Sequence, residues 1–499
     1  MRHVVVIGAG IAGLATAFEH HRRHPSDRVT VLEAADRVGG KLHTVDFAGH
    51  RYDVGAEMVL AVVPEALDLI DAVGLTADVV QPSTTSASIA LNGRHHPIPT
   101  GTVLGVPASV DDLVGSELFS PASLDRIRAE PDAPGPALTD DESVGGFLRP
   151  RLGDELVGLL IEPLLGGVYA GRADALSIMA TMPALAQALQ HEPSVLRAAA
   201  SIRRDPGAGP VFATLRGGLA ALARALVDRS GAEVRLGTTV RAIRRTGTGY
   251  RLDCGPASAA TFIEAEAVLI AVPPPNAARL LGPLAPDAAS ALAEIPMASM
   301  AILALSWPSG QALLPMGSGL LVPPEAGGLV KAVTISSNKW QHLSGQGVLV
   351  RASVGRIGEE RALRRSDAEL LADAGQEVAE LLNLTGAPTA GSVTRWGGGL
   401  PQYTVGHLDR VATVRAAVSQ VPGLAVAGGP STESASRRAY AARTPQWTLL
   451  ATEGGRRWSC VRCNAWLLRR SCSISTGPWS TRPPESPNIC PRPWPITSR

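Results

Sequence analysis

The sequence predicts an α/β fold in several parts, on three observations. Four consecutive β-formers, Val4–Ile7, run straight into Gly8-Ala9-Gly10-Ile11-Ala12-Gly13 and then into an Ala/Leu-rich helical pattern. Between about 143 and 200 the apolar residues recur at helical spacing. From about 297 to 394, alternating and β-branched runs at Met300–Ser306, Val330–Ile335 and Val348–Ser353 require a sheet. The expected architecture is a Rossmann-like nucleotide-binding domain, a helical domain and a mixed-sheet domain, followed by a disordered C-terminal tail.

The first stretch reads as strand, tight turn, helix. Gly8 permits the turn, Gly10 lets the backbone approach a pyrophosphate, and Gly13 lets the helix pack close to the strand. Ala9, Ile11 and Ala12 complete this candidate phosphate loop, and the helix start offers unpaired N–H groups to anions. A second strand, Val29–Leu32, ends in Glu33, about 20 residues beyond the glycines, where an acid is expected to hold a ribose hydroxyl, with Ala34 beside it. A glycine turn with no ligand is the alternative, and the flanking strands and the acid weigh against it.

The chain continues Asp36-Arg37-Val38-Gly39-Gly40-Lys41. A nicotinamide site has no need of this second glycine segment. The stretch resembles the extended motif of the amine oxidase/phytoene desaturase/protoporphyrinogen oxidase flavoprotein superfamily. That resemblance implies FAD, with the glycine pair passing close to the flavin and Lys41 near it. It also makes Asp53-Val54-Gly55-Ala56-Glu57-Met58 a close-approach loop, so Gly55 to Met58 are candidate flavin neighbours. Arg37 stays open between a surface charge and a functional one.

Composition bounds the alternatives. With 499 residues, two or three domains are expected. A net charge of +1 gives no electrostatic case for nucleic acid. No run of about 18 apolar residues predicts a transmembrane helix. The N-terminus enters the first strand at once, which leaves no room for a signal peptide and implies a cytoplasmic protein, with peripheral membrane contact left open. Cys254 stands alone, while Cys460, Cys463, Cys472 and Cys490 crowd the end without a second short spacing or a nearby histidine, so no metal site is expected.

Along the chain, residues 62–80 have helical periodicity with Gly74 as a stop, and 87–93 read as a strand. His95 and His96 lie in a Pro/Gly-rich segment and are expected to be structural. Segment 127–142 reads as an exposed loop. In the helical block, apolar spacing persists until Pro163, and Glu155 and Glu162 are expected on a solvated face. Arg216-Gly217-Gly218 returns the chain toward the nucleotide domain, followed by a helix at 219–229 and strands at 233–236, at Val240 and at 267–272. Val393–Tyr403, containing Trp396, leads to a last strand at 423–428.

Taken in order, "GRHHPIPTG", "EPLLGGVYAGRADALSI", "FATLRGGL", "AVLIAVPPP", "LVKAVTISSNKW" and "TRWGGGLPQYTVGH" resemble the oxygen-dependent porphyrinogen oxidases (protoporphyrinogen or coproporphyrinogen III), in particular the soluble actinobacterial and Gram-positive type. The resemblance implies an FAD-binding domain from 1–74, 209–284 and 395–428, a helical domain at 75–208 and a substrate-binding sheet domain at 285–394. It places Val240 on the adenine side and Trp396 near the ring system. It implies a porphyrinogen substrate, molecular oxygen as acceptor, hydrogen peroxide as product and contacts with haem-pathway enzymes. Coproporphyrinogen III is favoured over protoporphyrinogen IX. Arg172 and Arg94 are candidate propionate partners, and no catalytic residue is named. The alternatives are an FAD-dependent amine oxidase or carotenoid desaturase, and an inactive remnant.

After Gly428 the chain changes character. Residues 431–499 hold eleven Arg, three Glu, no Lys and no Asp, with five of the eight Trp. One permitted choice of codons for Gly429–Ala439, read two bases later, gives P-V-D-G-V-G-I-P-A-C, the kind of stretch the resemblance leads one to expect here. The expectation is an out-of-frame tail from about 429, against the alternative of a genuine Arg/Pro/Trp interaction segment.

Overall fold

The computed structural model describes residues 1–203, 209–311, 317–345 and 347–428. The expected frame change and the four late cysteines lie outside the described residues.

Strand His3–Ile7 is the middle of five parallel strands, in the order Glu233–Arg235, Arg28–Leu32, His3–Ile7, Ala267–Ile270, Leu424–Val426. Their Val/Ile/Leu runs suit a parallel sheet covered on both faces. Helices Ile11–Arg23 and Ala220–Arg229 bring Leu14, Phe18, Leu222 and Leu226 to a core with Val6 and Val31. Helices Pro274–Leu281, Pro286–Ala293 and His407–Ser419 bring Leu280, Leu292 and Val414 to a core with Val5 and Ile7. Strands from three distant stretches thus share one sheet. Two glycines are sterically required at its centre. Gly8 has φ +102°, and a Cβ on Gly13 would lie 2.0 Å from the Gly8 carbonyl oxygen.

A seven-stranded sheet follows the order Ala390–Pro401, Met297–Trp307, Val348–Val354, Val330–Ile335, Gly319–Leu321, Ser88–Leu91, Arg94–Pro97. Helix Asp367–Leu382 packs Leu370, Ala374, Val378 and Leu382 with Leu303, Val333 and Val350 of the sheet. The hairpin Ser88–Pro97, which the sequence assigns to the helical block, supplies two strands here. His96 is buried with Nδ1 3.2 Å from the Ser116 carbonyl oxygen, while His95 is exposed.

The helical block surrounds a core that includes Phe147, Leu152, Leu160, Leu165, Leu176 and Leu189. Segment 127–142 is not simply an exposed loop. It begins in helix Pro121–Ala129, and buried Glu130 accepts from Ser194 Oγ (2.7 Å) and the Val195 N–H (2.7 Å). Pro163 does not end the helical run. A π turn at Val157–Ile161 runs directly into helix Glu162–Tyr169, and the wider turn just ahead of Pro163 accommodates a residue with no N–H to give.

Candidate functional site

The site is built on the turn between His3–Ile7 and Ile11–Arg23. No side chain caps that helix start, and a Cβ on Gly10 would meet nothing within 4 Å. The turn therefore presents free backbone and open space. Glu33 lies beside it because the two strands pair in register; its carboxylate accepts from the N–H groups of Ala9 (2.7 Å) and Ala35 (2.9 Å). Segment 237–240 runs alongside, with the Thr238 N–H 2.7 Å from the Glu33 carbonyl oxygen. Val240 itself packs into the core and its carbonyl oxygen accepts from Arg279 (3.3 Å), so its side chain is not available to a ligand.

The second glycine segment packs on the first. The Gly39 N–H donates to the Ala9 carbonyl at 2.8 Å, and a Cβ on Gly40 would lie 3.1 Å from Gly10 Cα. Arg37 is half-buried rather than a free surface charge. It donates to the carbonyl oxygens of Gly40 (2.8 Å) and Val38 (3.3 Å), and its guanidinium lies 5.9 Å from the Trp396 ring centroid.

Lys41 is exposed. Surrounding protein desolvates the ammonium and pushes its pKa down, and among the described residues no carboxylate offsets this. Such a lone cation calls for an anionic or electron-rich occupant. The Ala56 N–H donates to the Lys41 carbonyl (2.8 Å), and a Cβ on Gly55 would lie 2.0 Å from that oxygen and 3.1 Å from the Trp396 ring. Trp396 Nε1 donates to the Val54 carbonyl at 2.9 Å. Lys41, Gly55, Ala56 and Trp396 are therefore brought together.

Glu57 turns toward the large sheet, not the glycine turn. Its carboxylate accepts from Trp340 Nε1 (2.5 Å) and lies 3.5 Å from Lys339 Nζ. Burial alone would raise its pKa, but Lys339 and then Arg351 outweigh burial and hold it below the ordinary range. Met58 Sδ lies 3.4 Å from the same ammonium. Burial pushes Asp53 up to about 7, although the Thr44 hydroxyl and the Leu219 N–H donate to it. Arg351 escapes sequence reading, since it stands in an ordinary strand pattern; Lys339, which ends the short helix Ser336–Lys339, and Trp340 after it are given no role by the sequence.

The helical block corrects one expectation. Glu162 is buried, accepts from the Ala173 N–H (2.6 Å), and lies 3.4 Å from Arg172; burial raises its pKa. Arg172 also pairs with Glu359, and Arg94 with Glu117 at the surface (2.8 Å), so both candidate propionate partners are committed to carboxylates of their own chain. Glu155 accepts from the N–H and hydroxyl of Ser120. Among the described residues no group of three His, Cys, Asp or Glu could hold a metal, and no helix is long and apolar enough to cross a membrane.

The uncapped helix start, the open face of Gly10, Glu33 at the turn and the lone Lys41 fit a dinucleotide with an electron-accepting ring. Residues 11–435 match the family model described as flavin containing amine oxidoreductase. The coproporphyrinogen III oxidase of Mycobacterium tuberculosis is 36% identical over 434 residues, 86% of this chain and 92% of that protein. The coproporphyrinogen III oxidase of Bacillus subtilis is 32% identical, over 86% of this chain and 93% of that protein. A crystal structure from Exiguobacterium sp. 255-15, described as a protoporphyrinogen oxidase, superposes with a TM-score of 0.78 at 32% identity, covering 88% of this chain and 96% of that one.

Proposed function

The chain belongs to the flavin-containing amine oxidoreductase family, with FAD as its cofactor, and we propose that it oxidises coproporphyrinogen III to coproporphyrin III in haem synthesis. Protoporphyrinogen IX is the second candidate substrate of the same reaction class. The observation that carries this reading is the similarity to two coproporphyrinogen III oxidases, at 36% and 32% identity, each over 86% of the chain.

Bound FAD supplies two-electron acceptor chemistry, so three rounds accomplish the aromatisation, with dioxygen proposed as final acceptor and hydrogen peroxide as product. In this reading the N–H groups at the start of Ile11–Arg23, with the Gly8–Gly13 cradle, hold the pyrophosphate. Glu33 accepts from the ribose, with Ala34 alongside, and Val240 closes the adenine side through its backbone. Lys41, the Gly55–Met58 loop and Trp396 border the ring system. The Lys41 ammonium, which no carboxylate among the described residues offsets, would stabilise negative charge that develops beside it. Glu57 shapes the loop through Trp340 and Lys339.

We also propose that residues after about 429 are read out of frame, because the family match stops at 435, close to where the composition changes. The test is porphyrin fluorescence from coproporphyrinogen III under air with added FAD, run on this chain and on a frame-repaired chain. Product from both supports the function and makes the tail harmless. Product from the repaired chain alone keeps the function and identifies this sequence as a broken form. Product from neither, with FAD bound to both, overturns the substrate and favours another FAD-dependent oxidation.

A further inference from the structure

Loop 53–57 is gripped by side chains from the far half of the chain, and one of them, Arg351, lies in no motif. Arg351, on strand Val348–Val354, donates to the carbonyl oxygens of Asp53 (3.1 Å) and Gly55 (2.5 Å). Trp396 takes the carbonyl between them, and Trp340 donates to the Glu57 carboxylate. Three successive loop carbonyls thus each accept a side-chain N–H, where loop carbonyls ordinarily face water. A guanidinium bonded to two carbonyls fixes both the position and the angle of the backbone, which a single ammonium cannot do. The Val54 and Ala56 amides donate to the carbonyls of His43 and Lys41, so the loop is pinned on both edges.

We infer that Arg351 is a positioning residue for the cofactor. With Trp340 it sets the height and tilt of the Gly55 loop against the flavin, so the large sheet dictates cofactor geometry. This rests on the reading that the loop borders FAD.

The test uses the full chain and three readouts: FAD affinity by fluorescence quenching, visible circular dichroism of bound flavin, and amide hydrogen exchange across 53–58 without FAD. For Arg351→Met the FAD Kd is expected to rise about tenfold, the flavin dichroism to change, and exchange at 54–58 to quicken about tenfold, the loss of roughly one net hydrogen bond. Arg351→Lys keeps the charge without the two-carbonyl grip and should recover only part of each change. A folded Arg351→Met protein with unchanged Kd, dichroism and exchange overturns the inference. If that variant does not fold, Trp340→Phe decides in the same way at 56–58. Should only the frame-repaired chain bind FAD, the same variants are compared in that chain; should neither chain bind it, the cofactor reading fails, and exchange in the FAD-free proteins decides only whether Arg351 holds the loop.

Discussion

The glycine turn at 8–13 and the loop at 53–58, both assigned here to the proposed cofactor site, are held in opposite ways. The turn is shaped by its own neighbourhood: Gly8 and Gly13 make room for each other, and Glu33 and Gly39 reach it from the next two segments. The loop takes Trp340, Arg351 and Trp396 from 283 to 342 residues away. One region is fixed by backbone and sequence spacing, the other by side chains that meet only once the sheet has formed. The first should fail locally and completely when altered; the second should fail by degrees.

The largest expected effect is in the turn. In Gly13→Ala the new Cβ would sit 2.0 Å from the Gly8 oxygen, so strand and helix must separate. We expect a stability loss of about 3 kcal/mol by urea unfolding, together with loss of flavin absorbance from the purified protein. A variant that keeps both would show that the turn has slack its geometry does not suggest.

Next comes a cost of distant assembly. His407 is 1% exposed, with neither ring nitrogen hydrogen-bonded and its ring 4.3 Å from that of Tyr403. Burial, then Arg410, pushes its pKa down from 6.5 to about 4. The unfolded chain therefore takes up the proton first as pH falls. Stability is lost from about pH 6.5 down to about pH 4, by about 3 kcal/mol in all. Denaturant titrations across that window should show the loss, and His407→Leu should remove it. An unaltered pH slope in the variant would place the acid sensitivity elsewhere.

These differences explain what is readable in advance. The glycine motif, Glu33 and the strands at 267–270 and 424–426 are legible because a turn, an acid at a strand end and a β-branched run are local signals. The meeting of Lys41, Gly55 and Trp396 is legible only through family resemblance. Arg351 carries no local signal, since an arginine in a half-buried strand looks like any other, and nothing in the residues around Lys339 and Trp340 says that they meet Glu57. Glu162 escapes for a definite reason: helical spacing puts it on a polar face, but the π turn at Val157–Ile161 adds a residue per turn and shifts the phase of helix Glu162–Tyr169. The hairpin Ser88–Pro97 is assigned to the wrong block because strand pairing partners cannot be read from a strand's own residues.

Trp396→Phe sharpens the contrast from the loop side. The ring is largely preserved, while the Val54 carbonyl loses its partner at 2.9 Å. An unmet half-buried carbonyl costs about 1–2 kcal/mol. FAD affinity, followed by fluorescence quenching, should fall by roughly the corresponding factor of ten. Loss of all binding would mean that the loop is as brittle as the turn.

The smallest effect separates packing of the large sheet from its grip on the loop. Ser366 caps helix Asp367–Leu382 in a reciprocal box: its hydroxyl accepts from the Glu369 N–H (3.3 Å), and its own N–H donates to the Glu369 carboxylate (2.8 Å). Ser366→Ala should cost about 1 kcal/mol of stability. Because the helix covers the sheet with Leu370, Ala374 and Val378, while Arg351 and Trp340 do the holding, FAD affinity should be unchanged. A parallel fall in affinity would show that the strands transmit loosening of their covered face to the loop carbonyls. The two regions would then differ in the distance over which they are held, but not in how independently they can fail.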